Sequence, residues 1–365
     1  MTTIPEHLAP ALVTIDLAAL QSNWKNLAAR APAAETGAAI KADAYGLGVG
    51  PCGRALWSAG CHHYFVARPS EGQELRGILP DAKIYVLDGL YTGQTGFYVQ
   101  HRLIPSLISP EEAKEWARDA GGAPCAIHVD SGINRVSFTY DALADLLAEN
   151  LPLNIVLLMS HLASSEEPDN DFNQEQRRRF EKARALLPQV KASLVNSSGV
   201  FLGVDYSYDV MRPGIALYGG NPLPGQPNPM KPVATLDVRV LQVRELSVGE
   251  KVGYNSTWTA ARPSRVALVA AGYRDGIPRH MSSTLAKGLA QVHINGKLCP
   301  IIGRVSMDMT AVDVTDAKVQ RGDWAEFFGP NIALDDAAAS AGTISWVLLT
   351  HLGNRYLRRY IGGES

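Results

Sequence analysis

Eight short apolar runs recur along the first 220 residues: GAAIK (37–41), YFVA (64–67), IYVL (84–87), IPSLI (104–108), AIHVD (126–130), IVLLMSH (155–161), ASLVN (192–196) and IALYG (215–219). They lie about 20–35 residues apart, the length of a βα unit. Amphipathic stretches separate them. Ser109-Pro110-Glu111-Glu112 is a capping-box start with proline at the first helical position. Residues 172–187 predict a strongly charged helix with its apolar residues on one side. Eight strands with crossovers is the count for a (β/α)8 TIM-like barrel. A doubly wound open sheet has the same local signature, because spacing does not show closure.

The segment NPLPGQPNPMKP (221–232) carries five prolines in twelve residues. Proline fixes φ and removes a donor, so this segment is expected to be an extended connection. It ends a first domain of residues 1–232 and opens a second of residues 233–365. There TLDVRVLQVREL, RVALVA, LAQVHING, TAVDVT and DWAEFFG read as β segments, with little helix until about residue 335. A mainly antiparallel β domain is expected. The fold class is therefore α/β, a barrel followed by a β domain.

Charge excludes some functions. The chain has 34 basic and 36 acidic residues, a net charge of -2, so no basic stripe awaits a nucleic acid. The N-terminus lacks a basic region, Asp16 interrupts its apolar stretch, and no run of about 18 apolar residues could span a membrane. The cysteines (52, 61, 125, 299) match neither a CxxC pair nor a zinc ribbon, so no metal is expected. These features predict a cytoplasmic protein.

In a barrel, chemistry sits at the C-terminal ends of the strands. Several predicted strands end in polar groups: Lys41, Asp130 with Arg135 beyond it, His161, and Asn196-Ser197; Arg212 leads into the eighth. Singly, each has an ordinary explanation. A lysine at a strand end is usually a solvated cap, a histidine is usually structural, and Asn-Ser-Ser-Gly is usually a turn. Their convergence on one rim argues otherwise. No Gly-x-Ser-x-Gly elbow, Walker A run or His-Glu-x-x-His motif is present. A lysine, two arginines, a histidine and glycine-rich turns suit a carbonyl cofactor with a phosphate. The lysine forms an imine, and backbone N–H groups with a serine cradle the phosphate.

IKADAYGLG (40–48) resembles the pyridoxal-phosphate lysine motif of bacterial alanine racemases. VDSGINR (129–135), MSHLASSE (159–166), NSSG (196–199), MRPGIALYG (211–219), EKVGYNSTW (250–258), GYRDGIPR (272–279) and GRVSMDMT (303–310) resemble that family's other blocks, in its order. Ordered blocks across both domains are far more specific than a lone lysine motif. The resemblance implies a cytoplasmic homodimer with active sites shared between subunits, converting L-alanine to D-alanine through pyridoxal 5'-phosphate. The resemblance leaves open whether the D-alanine serves as a peptidoglycan precursor or the reaction serves D-alanine catabolism, since both use the same site.

The resemblance also implies residue roles. Lys41 would hold the cofactor and act as one base, and Tyr254 from the partner subunit would be the other. Two bases on opposite faces of Cα avoid turning the substrate over. Tyrosine is a poor base at its usual pKa of about 10, so His161 and Arg212 would stand in a hydrogen-bonded chain behind it. Arg212 would also contact the pyridine nitrogen and leave it unprotonated. Arg135 would contact the cofactor's phenolic oxygen and the substrate carboxylate. Tyr45, Asn196, Ser197, Gly214 and Ile215 would bind the cofactor, the last two through backbone N–H groups at its phosphate. Met307 and Asp308 match the partner's side of the substrate pocket. Tyr273, Arg279 and Arg304 match an entrance channel, although Tyr273 could equally well simply pack.

Some positions depart from the family pattern. His128 stands where many members carry a lysine, carbamylated in some. An imidazole cannot supply that negative charge, which leaves Arg135 to a chloride or another carboxylate. Trp346 replaces a tyrosine that reaches the phosphate, Ser306 a common cysteine, and Asn255 a glycine. Alternatives remain open: a racemase of another small amino acid such as serine, a non-catalytic pyridoxal-phosphate carrier, or a decarboxylase of the same barrel class. A methylene or hydroxyl discriminates by only about 1–3 kcal/mol, and the carrier leaves the second domain without a purpose.

Overall fold

The computed structural model describes residues 5–283 and 290–363. Leu289, the first residue of the expected LAQVHING run, lies outside them. The chain divides into two compact units, each built around its own sheet. Residues 5–19, expected in the barrel, fall with the β unit, together with residues 218–220 and the described residues from 231 to 363; residues 20–217 and 221–230 form the barrel unit. The reason is hydrogen bonding. Strand Ala11–Asp16 pairs antiparallel with Ala234–Leu246 and parallel with Leu357–Ile361, filling a ladder position in the β unit's sheet.

In the barrel unit seven parallel strands follow in chain order: Ala38–Ala39, His63–Val66, Lys83–Val86, Leu103–Leu107, Pro124–His128, Asn154–Met159 and Lys191–Ser193. The eighth strand is Val210–Met211, not the expected run at 215–219. It pairs in parallel with Glu35–Thr36, at the head of the first strand. On its other side, Asp209 and Arg212 donate backbone N–H groups to Ala192 and Val195. This closes the ring and decides for the barrel over an open sheet. The 215–219 run begins a 3-10 turn, Ile215–Tyr218. Pro213 has no N–H for a ladder, and the Gly214 and Ala216 amides turn to the Ser197 hydroxyl instead.

Inward-facing Phe65, Tyr85, Leu157, Met159 and Val210 fill the ring. Each large side chain buried there contributes about 1.5–3 kcal/mol. Helix Pro110–Asp119 starts as expected, with Ser109 Oγ accepting from the Glu112 N–H. Helix Phe172–Arg184 buries Asn173 and Gln176 as well as Phe180 and Ala183, so its inner face is half polar.

In the β unit, Ala234–Leu246 is joined through antiparallel ladders to Ser264–Val269, Thr310–Asp313, Lys297–Ile302, Gln291–Ile294, Trp324–Phe328 and back to itself, a closed ring of six strands. Register shifts near Leu236 and Val240 let this long strand serve three neighbours. Its first residues alternate between buried and half-buried, as a one-sided strand requires. The two short helices, Leu334–Ser340 and Ser345–Thr350, fall where helix was expected. Among the described residues no helix is long and apolar enough to cross a membrane.

Candidate active site

Lys41 follows the first barrel strand and stands at the head of a turn in which Ala42, Asp43, Ala44 and Tyr45 all have φ between 53° and 57°. Left-handed backbone costs a side-chain-bearing residue about 1–2 kcal/mol, so four in a row require fixed partners. Glu71 supplies them: one oxygen accepts from the Ala42 N–H at 2.7 Å, the other from Ala67 at 2.7 Å and Arg68 at 3.1 Å. Asp43 Oδ1 accepts from Val49 at 2.6 Å. Glu71 was not singled out in the sequence. Its place after Arg68-Pro69-Ser70 marks a helix start, but its reach across 29 residues to Ala42 is a product of folding.

Burial lowers the Lys41 pKa, and the Arg135 charge lowers it further, against opposition from Asp88 and Glu71. A larger share of the amine is therefore neutral, able to attack a carbonyl or accept a proton. Nearby, Ser197 Oγ accepts from the Gly214 N–H at 2.9 Å and the Ala216 N–H at 3.2 Å. A Cβ on residue 214 would come within 2.3 Å of the Tyr45 hydroxyl, so only glycine lets that phenol lie over the loop. Burial pushes the Tyr45 phenol up to about 12, keeping it a neutral donor at physiological pH. Asn196 Oδ1 accepts from Gly199 N–H and the Ser165 hydroxyl, each at 2.9 Å, and so fixes the loop that carries Ser197.

Arg212 is buried, with its guanidinium bonded to Ser193 Oγ and the Ser160 carbonyl. Burial and the charge of Arg135 lower its pKa to about 9, still cationic at neutral pH. His161 is held well below its ordinary pKa by burial, then by Arg212 and Arg135, so it is neutral. The two interact through charge, while the guanidinium's hydrogen bonds go to Ser193 and Ser160. Ser160 and Ser131 join hydroxyls at 2.8 Å, and buried Gln176 donates to Ser131 Oγ and the His161 carbonyl. This polar layer went unnoticed in the sequence, where Gln176 is one polar residue on a charged helix.

Burial lowers His128 to about 3, aided by Arg212 and Arg135. Its Nδ1 is buried with no hydrogen-bond partner among the described residues. The imidazole of His128 is therefore neutral and supplies no negative charge to Arg135, whose own side chain is exposed. Asp130 Oδ1 orders the intervening loop by accepting from Gly132 and Asn134.

The β unit carries the remaining candidates. Tyr254 is 69% exposed. It lies in a turn where Asn255 and Ser256 have φ of 59° and 49°. A cleft of about 480 Å3 is lined by Tyr254, Tyr273, Arg279, Arg304 and Val305. Tyr273 donates its N–H to the Ser306 carbonyl and Arg274 donates to Met307, so this turn rides on the loop bearing Met307 and Asp308. Arg355, also unnoticed in the sequence, bonds Asp275 and Asp308 together. Trp346 lies half-buried on helix Ser345–Thr350. No group of three or more His, Cys, Asp or Glu among the described residues is arranged to hold a metal.

Residues 15–222 match the family model described as alanine racemase, N-terminal domain, and residues 233–360 match that of its C-terminal domain. A biosynthetic alanine racemase of Agrobacterium fabrum is 41% identical over 97% of this chain and 94% of its own length. A catabolic alanine racemase of the same organism is 42% identical over 96% of this chain and 92% of its own. The crystal structure of alanine racemase from Bartonella henselae, with covalently bound pyridoxal phosphate, superposes with a TM-score of 0.92 at 37% identity, over 97% of this chain and all of that one. With both domain models and these full-length relatives in agreement, the chain belongs to the alanine racemase family, a family of pyridoxal-phosphate-dependent isomerases.

Proposed function

We propose that this chain interconverts L- and D-alanine with two bases, Lys41 and the Tyr254 of a second subunit, in a homodimer. The observation that carries the reading is the pairing of Lys41, poised by burial, with the cradle of Ser197, Gly214 and Tyr45. These residues fit pyridoxal phosphate. A neutral amine suits its carbonyl, and a side chain at 214 would fill the space the Tyr45 hydroxyl takes. Ser197, the Gly214 and Ile215 amides and Tyr45 would hold the phosphate, positioned by Asn196, and Arg212 would face the ring nitrogen. When bound, that group withdraws electrons and makes the substrate's Cα–H acidic.

The chain's own groups do the rest. Lys41 Nζ takes or returns the proton on one face of Cα, and Tyr254 Oη serves the other. Cationic Arg212, with His161 beside it, favours negative charge on a group placed near it. Arg212 stays cationic at neutral pH, so it would hydrogen-bond the ring nitrogen without passing it a proton. Arg135 is exposed and cationic, suited to orient the substrate carboxylate. Met307 and Asp308 would flank the substrate, with Tyr273, Arg279 and Arg304 at the entrance. Tyr254 itself is exposed on a strained turn, as befits a group that works in another subunit's site. A family match over residues 233–360 argues against a mere cofactor carrier. Four free, buried cysteines accord with a reducing cytoplasm.

The test is a chiral assay of the holoenzyme with L-alanine in D2O. D-alanine carrying deuterium at Cα supports the reading, and parallel runs with serine rank the substrates. Exchange without inversion would leave one base working and remove Tyr254 from the scheme. No exchange would overturn the alanine assignment.

A further inference from the structure

We propose that Arg355 is a positioning residue that fixes the width of the cleft beside Tyr254 by clamping the Tyr273 turn to the Met307–Asp308 loop. The proposal rests on the racemase reading only for what the cleft admits. Its Nε and Nη2 bond the two oxygens of Asp275 at 2.6 and 2.8 Å, and its Nη1 bonds Asp308 Oδ1 at 2.8 Å. The Asp275 side chain is 4% exposed and that of Asp308 is 54% exposed, so one arm of the fork is anchored inside and the other reaches the surface.

Asp275 is itself tied on every side. Its Oδ2 accepts from the Gly272 N–H at 3.0 Å, and its carbonyl accepts from the Gly353 N–H at 3.0 Å. The Tyr273 and Arg274 amides bond the Ser306 and Met307 carbonyls at 2.9 and 3.0 Å. A Cβ on Gly272 would lie 2.2 Å from the Ser306 carbonyl, so turn and loop touch backbone to backbone. Tyr273 is a wall of the cleft, and its position follows from this contact. A half-exposed pair such as Arg355–Asp308 adds little stability. What it adds is direction: two parallel bonds to Asp275 orient the planar guanidinium, and the third nitrogen then has one place to point. A lysine would keep the charge and lose the direction.

The experiment compares Arg355→Lys, Asp308→Ala and the double variant as holoenzymes, with amide hydrogen exchange on each. Arg355→Lys is expected to raise KM for alanine about tenfold with kcat within about twofold, and to cut the preference for alanine over 2-aminobutyrate about tenfold. Exchange at the Tyr273 and Arg274 amides should quicken while strand Lys297–Ile302 keeps its protection. Asp308→Ala should reproduce the KM and selectivity changes, and the double variant should be no worse than either. A folded Arg355→Lys protein with unchanged KM and selectivity overturns the proposal, as does an additive double variant. Should Arg355→Lys fail to fold, Asp308→Ala decides, since it leaves the buried pair intact: unchanged selectivity there overturns the proposal. A wild-type protein that does not racemise alanine removes the racemase reading, and the exchange rates still judge the clamp.

Discussion

Lys41 in the barrel unit and Tyr254 in the β unit both stand beside left-handed backbone, yet they are held differently. The turn after Lys41 is pinned by Glu71 and Asp43, and the amine is half-buried among charged groups. The Tyr254 turn is closed by the Ser256 N–H to the Gly253 carbonyl and by the short antiparallel ladder of Lys251–Val252 with Trp258–Thr259, and it leaves the phenol in the open. Strained backbone persists only where its surroundings over-determine it. The barrel supplies those surroundings from its own chain. The Tyr254 turn has fewer of its own, which is what a group completed by a second subunit would show.

That contrast breaks first at Lys41. Lys41→Ala should cost at least about 10³-fold in turnover and abolish the visible absorbance of bound cofactor; a fully active variant would end the assignment. Tyr254→Phe should lose about 10²–10⁴-fold, and unequally: proton abstraction from one enantiomer should slow far more than from the other in D2O exchange. Equal modest losses would argue against two bases. Mixing the inactive Lys41→Ala and Tyr254→Ala proteins should regenerate activity, and persistent silence would place both bases in one subunit.

Smaller effects sharpen the barrel side. Gly214→Ala forces a Cβ into the Tyr45 hydroxyl, a strain of about 1–3 kcal/mol that should appear as weaker cofactor binding in a titration. Unchanged affinity would detach Tyr45 from the cradle. Acid stability should carry the imprint of His128. Its folded pKa is about 3 and its unfolded value about 6.5. Below the unfolded value the denatured chain takes a proton the native one refuses, so stability falls with pH down to the folded value. The slope is at most about 1.4 kcal/mol per pH unit. His128→Gln should flatten that limb in denaturant melts between these limits; an unaltered slope would mean that His128 is not buried neutral.

Much of this was legible in the residues. Seven of the eight apolar runs overlap barrel strands, because a strand buried on both faces must be apolar throughout. The eighth misled because IALYG is equally apolar as a buried turn, and what diverts it is Ser197, far away in sequence. Ala11–Asp16 is not among those runs, and a short apolar stretch does not say which sheet it joins: its ladder partners lie in the second half of the chain. At the site, Lys41, Ser197 and Arg212 announced themselves as polar groups at strand ends, whereas Glu71, Ser193, Gln176 and Arg355 look like ordinary surface or helix residues until the chain is folded.

The sequence by itself determined the barrel and β-domain classes, the ordered motifs and the residue types of a pyridoxal-phosphate site, since periodicity and local motifs are properties of neighbouring residues. Tertiary structure alone decided ring closure at Val210–Met211, the home of the first strand, the neutrality of His161 and His128, and the Arg355 clamp. Each depends on burial or on bonds between distant segments, and neither exists until the chain has brought those segments together.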